Sequence, residues 1–132
     1  MTGNAHWRDA ISAAEALTEA DRRTLQLLVR LPLIWEGAIE SLLHLRGGAS
    51  VYRCLARLRK MGLVDEMRPA LRAGRNPGLL YLTDLGIATV AVDRHLDSEH
   101  FARHARLRGG DLLARIPGLP HVLAAYQLLV AL

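Results

Sequence analysis

The sequence predicts a mainly α-helical protein with one small β-hairpin, and three observations carry that expectation. Apolar residues recur with a helical period through most of the chain. The period changes to that of strands once, after Gly62. A segment rich in Gly, Pro and Arg then separates two short apolar runs. At 132 residues, 51% of them apolar, the chain suits one domain that buries about two-thirds of its unfolded surface.

The elements follow in order. Residues 5–16 read as a short Ala-rich helix with Trp7 and Ile11 on one face. Thr18-Glu19-Ala20-Asp21 reads as a capping box, with Asp21 in the place usually held by Glu. The helix it opens carries Leu25, Leu28, Val29 and Leu31 and stops near Pro32. Residues 33–45 place Ile34, Trp35, Ala38, Ile39, Leu42 and Leu43 at a 3.6-residue period, so a helix is expected there. Arg46-Gly47-Gly48 breaks it. Ser50 then serves as N-cap of a helix to Met61, and Gly62 stands where a left-handed residue closes a helix. Residues 63–67 and 79–82 are the two strands, joined by the basic segment 68–78. Thr83 caps a helix to about Leu96, and Asp97 or Ser98 caps a polar one to Arg108. A short turn over 111–116 precedes a final apolar stretch, His121 to Leu132.

Charge is concentrated in one place. Residues 46–80 hold eight basic side chains against Asp65 and Glu66, a larger excess than the +4 of the whole chain. A positive field beside a helix gathers nucleic-acid phosphates and releases their counterions. Within that helix Val51, Leu55 and Leu58 form one apolar stripe flanked by Cys54 and Met61, while Tyr52, Arg53, Ala56, Arg57 and Lys60 stand opposite. Arg53 and Arg57 lie off the stripe, so replacing both is expected to leave the fold intact.

Helix, helix, Gly turn, helix, strand, basic loop, strand, helix is the layout of a winged helix-turn-helix. Residues 49–64, Ala-Ser-Val-Tyr-Arg-Cys-Leu-Ala-Arg-Leu-Arg-Lys-Met-Gly-Leu-Val, resemble the recognition helix of bacterial winged-helix regulators. These include the MarR-like and PadR-like groups and the DNA-binding part of replication-relaxation proteins. Leu82-Thr83-Asp84-Leu85-Gly86 is similar to the Leu-Thr-x-x-Gly that closes the wing in those families, and the resemblance spans about residues 18–96. It implies a winged helix-turn-helix with extra N- and C-terminal helices: residues 1–17, a DNA-binding domain over 18–96, and a helical extension over 97–132. It also implies double-stranded DNA as partner and a homodimer. The N-terminal part of a recognition helix approaches base edges. Ser50, Tyr52, Arg53 and Arg57 are therefore the expected base-edge residues, and Arg59, Lys60 and Arg46 the phosphate contacts. Arg72 and Arg75 of the wing would reach the minor groove or its backbone.

Other chemistry finds little support. His95, Glu99, His100 and His104 fall at four-residue spacings, but His-x-x-x-His without an adjacent Glu is a weak metal motif, and a solvated helix face is the expected reading. No Gly-rich phosphate loop follows a strand. Ser12, Ser41 and Ser50 have no nucleophile-elbow context. Asp65 and Glu66, adjacent on a strand, point to opposite faces. No catalytic residue, cofactor or metal is expected. One cysteine, Cys54, excludes an internal disulfide and reads as a small buried hydrophobe. The first residues lack the apolar core of a signal peptide, and no apolar run reaches bilayer length, so a cytoplasmic setting is expected. The final helix, apolar nearly all round, has three destinations: this domain's own core, a second subunit, or a larger downstream domain. The expected function is sequence-specific DNA binding by a transcriptional regulator. Replication or mobilisation of a plasmid or integrated element, and a winged-helix module that binds an acidic partner, stand as alternatives.

Overall fold

The computed structural model describes residues 2–43, 48–68, 78–105 and 118–131. Its elements are α1 (Thr2–Ala16), α2 (Glu19–Arg30), α3 (Glu36–Leu43), α4 (Gly48–Lys60), β1 (Val64–Met67), β2 (Leu79–Leu82), α5 (Asp84–Asp93), α6 (Ser98–Ala105) and α7 (Leu119–Ala131). The order is that of a winged helix, with helices added at both ends.

α2 starts as its sequence demands. The Thr18 amide donates to Asp21 Oδ2 at 2.9 Å and the Asp21 amide to Thr18 Oγ1 at 3.2 Å, a reciprocal capping box. Leu25 and Leu28 are buried in the main core, and Arg22 ties the other side of α2 to α5. Its Nε donates to both carboxylate oxygens of Asp93, at 3.1 and 3.2 Å.

The helix expected from Leu33 begins only at Glu36. Leu33 takes a positive φ of 62°, and its amide donates to the Leu80 carbonyl at 3.0 Å. The Leu80 amide in turn donates to the Ile34 carbonyl at 2.8 Å. Residues 33–34 thus make an isolated antiparallel bridge on the edge of β2. Ile34 is buried and in phase with the apolar positions of α3, so the periodicity cannot distinguish the two conformations. The open hydrogen-bonding edge of β2 decides the matter.

α4 begins two residues before the expected N-cap, which places Ser50 in its first turn. Its apolar stripe is as expected: Val51, Cys54, Leu55 and Leu58 are buried. At the far end Gly62 has φ 80°, Leu63 N–H bonds Leu58 O and Gly62 N–H bonds Arg59 O, each at 3.0 Å. This is a Schellman motif, and it turns the chain directly into β1.

β1 and β2 pair antiparallel, with Val64 opposite Leu82 and Glu66 opposite Leu80. Thr83 fastens the base of the hairpin. Its amide donates to Leu63 O at 3.0 Å, and its hydroxyl donates to Gly62 O and accepts from the Gly86 amide. Gly86 is required by contact: a Cβ there would lie 2.0 Å from Leu63 O. α5 therefore meets the backbone of Leu63, just before β1, in its first turn.

α5 is the central helix, with Ile87, Val90 and Ala91 buried. It ends at Asp93, not Leu96, in a second Schellman turn: His95, at φ 57°, donates to Val92 O, and Leu96 to Ala91 O. α1 lies along α5. Its buried positions are Ala10, Ala13 and Ala14, with Leu17 just beyond, and Trp7 stands half-exposed. Asp97 caps α6 by accepting from the His100 amide at 2.8 Å, and Phe101 of α6 reaches the core. α7 packs on α3. Its buried Tyr126 donates to the Pro32 carbonyl at 2.9 Å. Tyr126, with the partly buried Val122, Leu123 and Val130, thus joins the terminal helix to this chain's own core, while Leu128 and Leu129 face outward.

Candidate nucleic-acid interface

Because Val51, Cys54, Leu55 and Leu58 fix which way α4 faces, the other positions sort by angle around the helix. Arg53, Ala56 and Lys60 are exposed on the side away from the core. Tyr52 is 65% exposed toward the hairpin flank. Tyr52, Ala56 and Arg59 share a shallow cleft with Glu36, Glu66 and Gly78, between α4 and the tip-ward end of the hairpin strands. Ser50 lies in the first turn of α4. Arg46, Arg72 and Arg75 fall outside the described residues, as does the rest of the hairpin tip.

The four described cations of α4 divide into two pairs. Arg53 and Lys60 make no ion pair among the described residues. Arg57 and Arg59 stand on opposite flanks, each against a carboxylate of another element.

On the α2 flank the Arg57 guanidinium donates to Asp21 Oδ1, with Thr18 Oγ1 at 3.4 Å. Asp21 is fully buried, and it also accepts from the Cys54 thiol at 3.1 Å. Burial alone would raise the Asp21 carboxyl. The Thr18 amide, Arg57 and Cys54 outweigh burial and hold it below the usual carboxylate range. The same carboxylate raises the Arg57 guanidinium further. Burial, with the neighbouring anion adding to it, pushes the Cys54 thiol up to about 11. Thr24 completes the cluster: its hydroxyl bonds Ala20 O and sits 3.4 Å from Cys54 Sγ. Arg57 is therefore part of the fold as well as a surface cation, which corrects the expectation that it could be removed without structural effect.

On the other flank Arg59 Nη1 lies 3.2 Å from Glu66 Oε2, and Arg68 Nη2 lies 3.0 Å from Glu66 Oε1. Glu66 thus spans α4 and the first residue beyond β1. Neither partnership was evident in the sequence. Asp21 registered only as a cap, and Glu66 only as one of two acids in a basic window.

The remaining sequence motifs bring no other site together among the described residues. Among the described residues no group of three His, Cys, Asp or Glu side chains is placed to share a metal ion. No described helix is long and apolar enough to cross a membrane.

The fold has a solved counterpart. The crystal structure of a MarR family transcription regulator matches 97% of this chain and 82% of its own, with a TM-score of 0.53 and 18% sequence identity. At that identity the likeness is one of fold: a mainly helical winged helix with a two-stranded antiparallel sheet. No protein-family model matches the chain, and no curated protein matches it by sequence.

Proposed function

We infer that this chain binds double-stranded DNA, with α4 in the major groove and the hairpin beside it, and acts as a transcriptional regulator. The observation that carries this reading is the outer face of α4. It presents Arg53 and Lys60 without carboxylate partners among the described residues, in a winged-helix frame that exposes this helix. Cations so placed can exchange counterions for phosphates, and an arginine near the helix N-terminus can meet a guanine edge. The fold shared with a transcription regulator supports the same reading. Tyr52 and Arg53 are the proposed base-edge contacts, and Lys60, Arg59 and the wing arginines the phosphate contacts. Ser50 and Arg57 border that surface.

We further propose that the chain acts as a homodimer, because Leu128 and Leu129 of α7 stand 66% and 41% exposed beside a face already docked on α3. Soluble monomers seldom leave large apolar side chains together at the surface.

The test is binding to duplex DNA over a salt titration, with Arg53→Ala and Lys60→Ala beside the unmodified chain. The expected result is salt-dependent binding that each substitution weakens, Arg53→Ala by about 1–3 kcal/mol on a preferred sequence. Absence of salt-dependent binding, or folded variants with undiminished affinity, overturns the reading.

A further inference from the structure

Two arginines at the seam between α4 and the hairpin share one counter-ion. Glu66 gives one carboxylate oxygen to Arg59 and the other to Arg68, at 3.2 and 3.0 Å. Its side chain is only 22% exposed, against 47% and 68% for its partners, so the anion sits beneath the cations. Gly78 makes room for it: a Cβ there would lie 1.8 Å from Glu66 Oε1. The hairpin therefore loses a side chain where the carboxylate lies. Asp65, the neighbouring acid, points to the other face of β1, where Tyr81 Oη is 3.5 Å from its Oδ2.

We propose that Glu66 limits how tightly the chain holds DNA of arbitrary sequence, by occupying the guanidinium groups that a backbone phosphate at the seam would use. This rests on the DNA-binding reading above. Part-exposed ion pairs are weak and screened by salt, so a phosphate can displace the carboxylate, but at a cost. That cost falls on phosphate contacts, which carry no sequence information, and leaves base-edge contacts from the outer face of α4 untouched. Glu66 would thus raise the ratio of specific to non-specific binding without touching a base.

The experiment compares the unmodified chain with Glu66→Gln, Glu66→Asp and Asp65→Asn. All are checked for folding by circular dichroism and titrated with a random-sequence duplex over a range of salt. Glu66→Gln is expected to bind roughly three- to tenfold more tightly at low salt. Its plot of log affinity against log salt should steepen by about 1, as Arg59 is released to a phosphate. Glu66→Asp keeps the charge but withdraws it by one methylene, and should give part of the gain. Asp65→Asn removes the same formal charge without freeing either arginine, and should leave the slope unchanged. Adding Arg59→Ala to Glu66→Gln should cancel much of the gain. An unchanged slope in Glu66→Gln, weaker binding, or an equal gain in Asp65→Asn overturns the proposal while leaving DNA binding intact. Failure of the unmodified chain to bind any duplex overturns both.

Discussion

The guanidinium of Arg57, on α4, closes over the carboxylate of Asp21, which is completely buried at the start of α2. The residue that caps one helix thereby fixes the rotation of another. Asp21 accepts from its own cap, from Arg57 and from Cys54, and so joins the first helix of the motif to the third through one anion.

Removing Arg57 should therefore destabilise the protein. Arg57→Ala leaves a buried carboxylate with the Thr18 and Cys54 hydrogen bonds but no cation, at a cost of about 1–3 kcal/mol. Arg53→Ala should leave the melting temperature unchanged. Chemical denaturation of the two variants checks this. Equal stability of Arg57→Ala and the parent would show that the pair does not hold α4.

The same carboxylate sets an acid limit. Its pKa is lower in the folded than in the unfolded chain, so its stabilising contribution is fully present above the ordinary carboxylate value. It is lost as the pH falls through the lowered folded value. Asp21→Asn should flatten the acid side of the stability–pH curve below about pH 4 and lower stability at neutral pH. Parallel curves for the two proteins would contradict this assignment.

Cys54 should be inert in the folded protein. With its thiol near 11 and its sulfur buried, almost no thiolate is present at neutral pH. Iodoacetamide should label it only as fast as the protein opens, so the labelling rate should rise with denaturant. Rapid labelling of the native protein would refute the buried placement.

Much of this was legible in the sequence, and the failures have definite causes. Thr18 and Asp21, the Val51-Leu55-Leu58 stripe, Gly62 and Thr83 each act through neighbours a few residues away, and the structure uses them as read. Leu33–Ile34 was misread because Ile34 is apolar in a helix or a strand, and its hydrogen-bonding partner Leu80 lies far along the chain. His95 closes α5 in a conformation usually given to Gly, so composition offered no stop signal. The division of the α4 cations into held and unheld depends on Asp21, 36 residues from Arg57, and on Glu66, which reaches Arg59 only because the Gly62 turn folds β1 back beside α4.

The exposed part of α7 gives a further prediction. Leu128→Glu with Leu129→Glu should leave the melting temperature close to that of the parent, since neither side chain is buried within the chain. If α7 mediates self-association, the substituted protein should sediment as a monomer under conditions in which the parent is a dimer. A monomeric parent at tens of micromolar would remove α7 from that role.

The packing of α1 along α5 also bears on how the protein is made. During synthesis α1 precedes its partner, which is complete only after residue 93 has been added. At about 5–20 residues per second the wait lasts several seconds. The waiting face is built mainly of Ala10, Ala13 and Ala14, which offer a chaperone or a neighbouring nascent chain little to grip. Small side chains here let the two helices approach closely, and they leave little apolar surface on the first while it waits for the second.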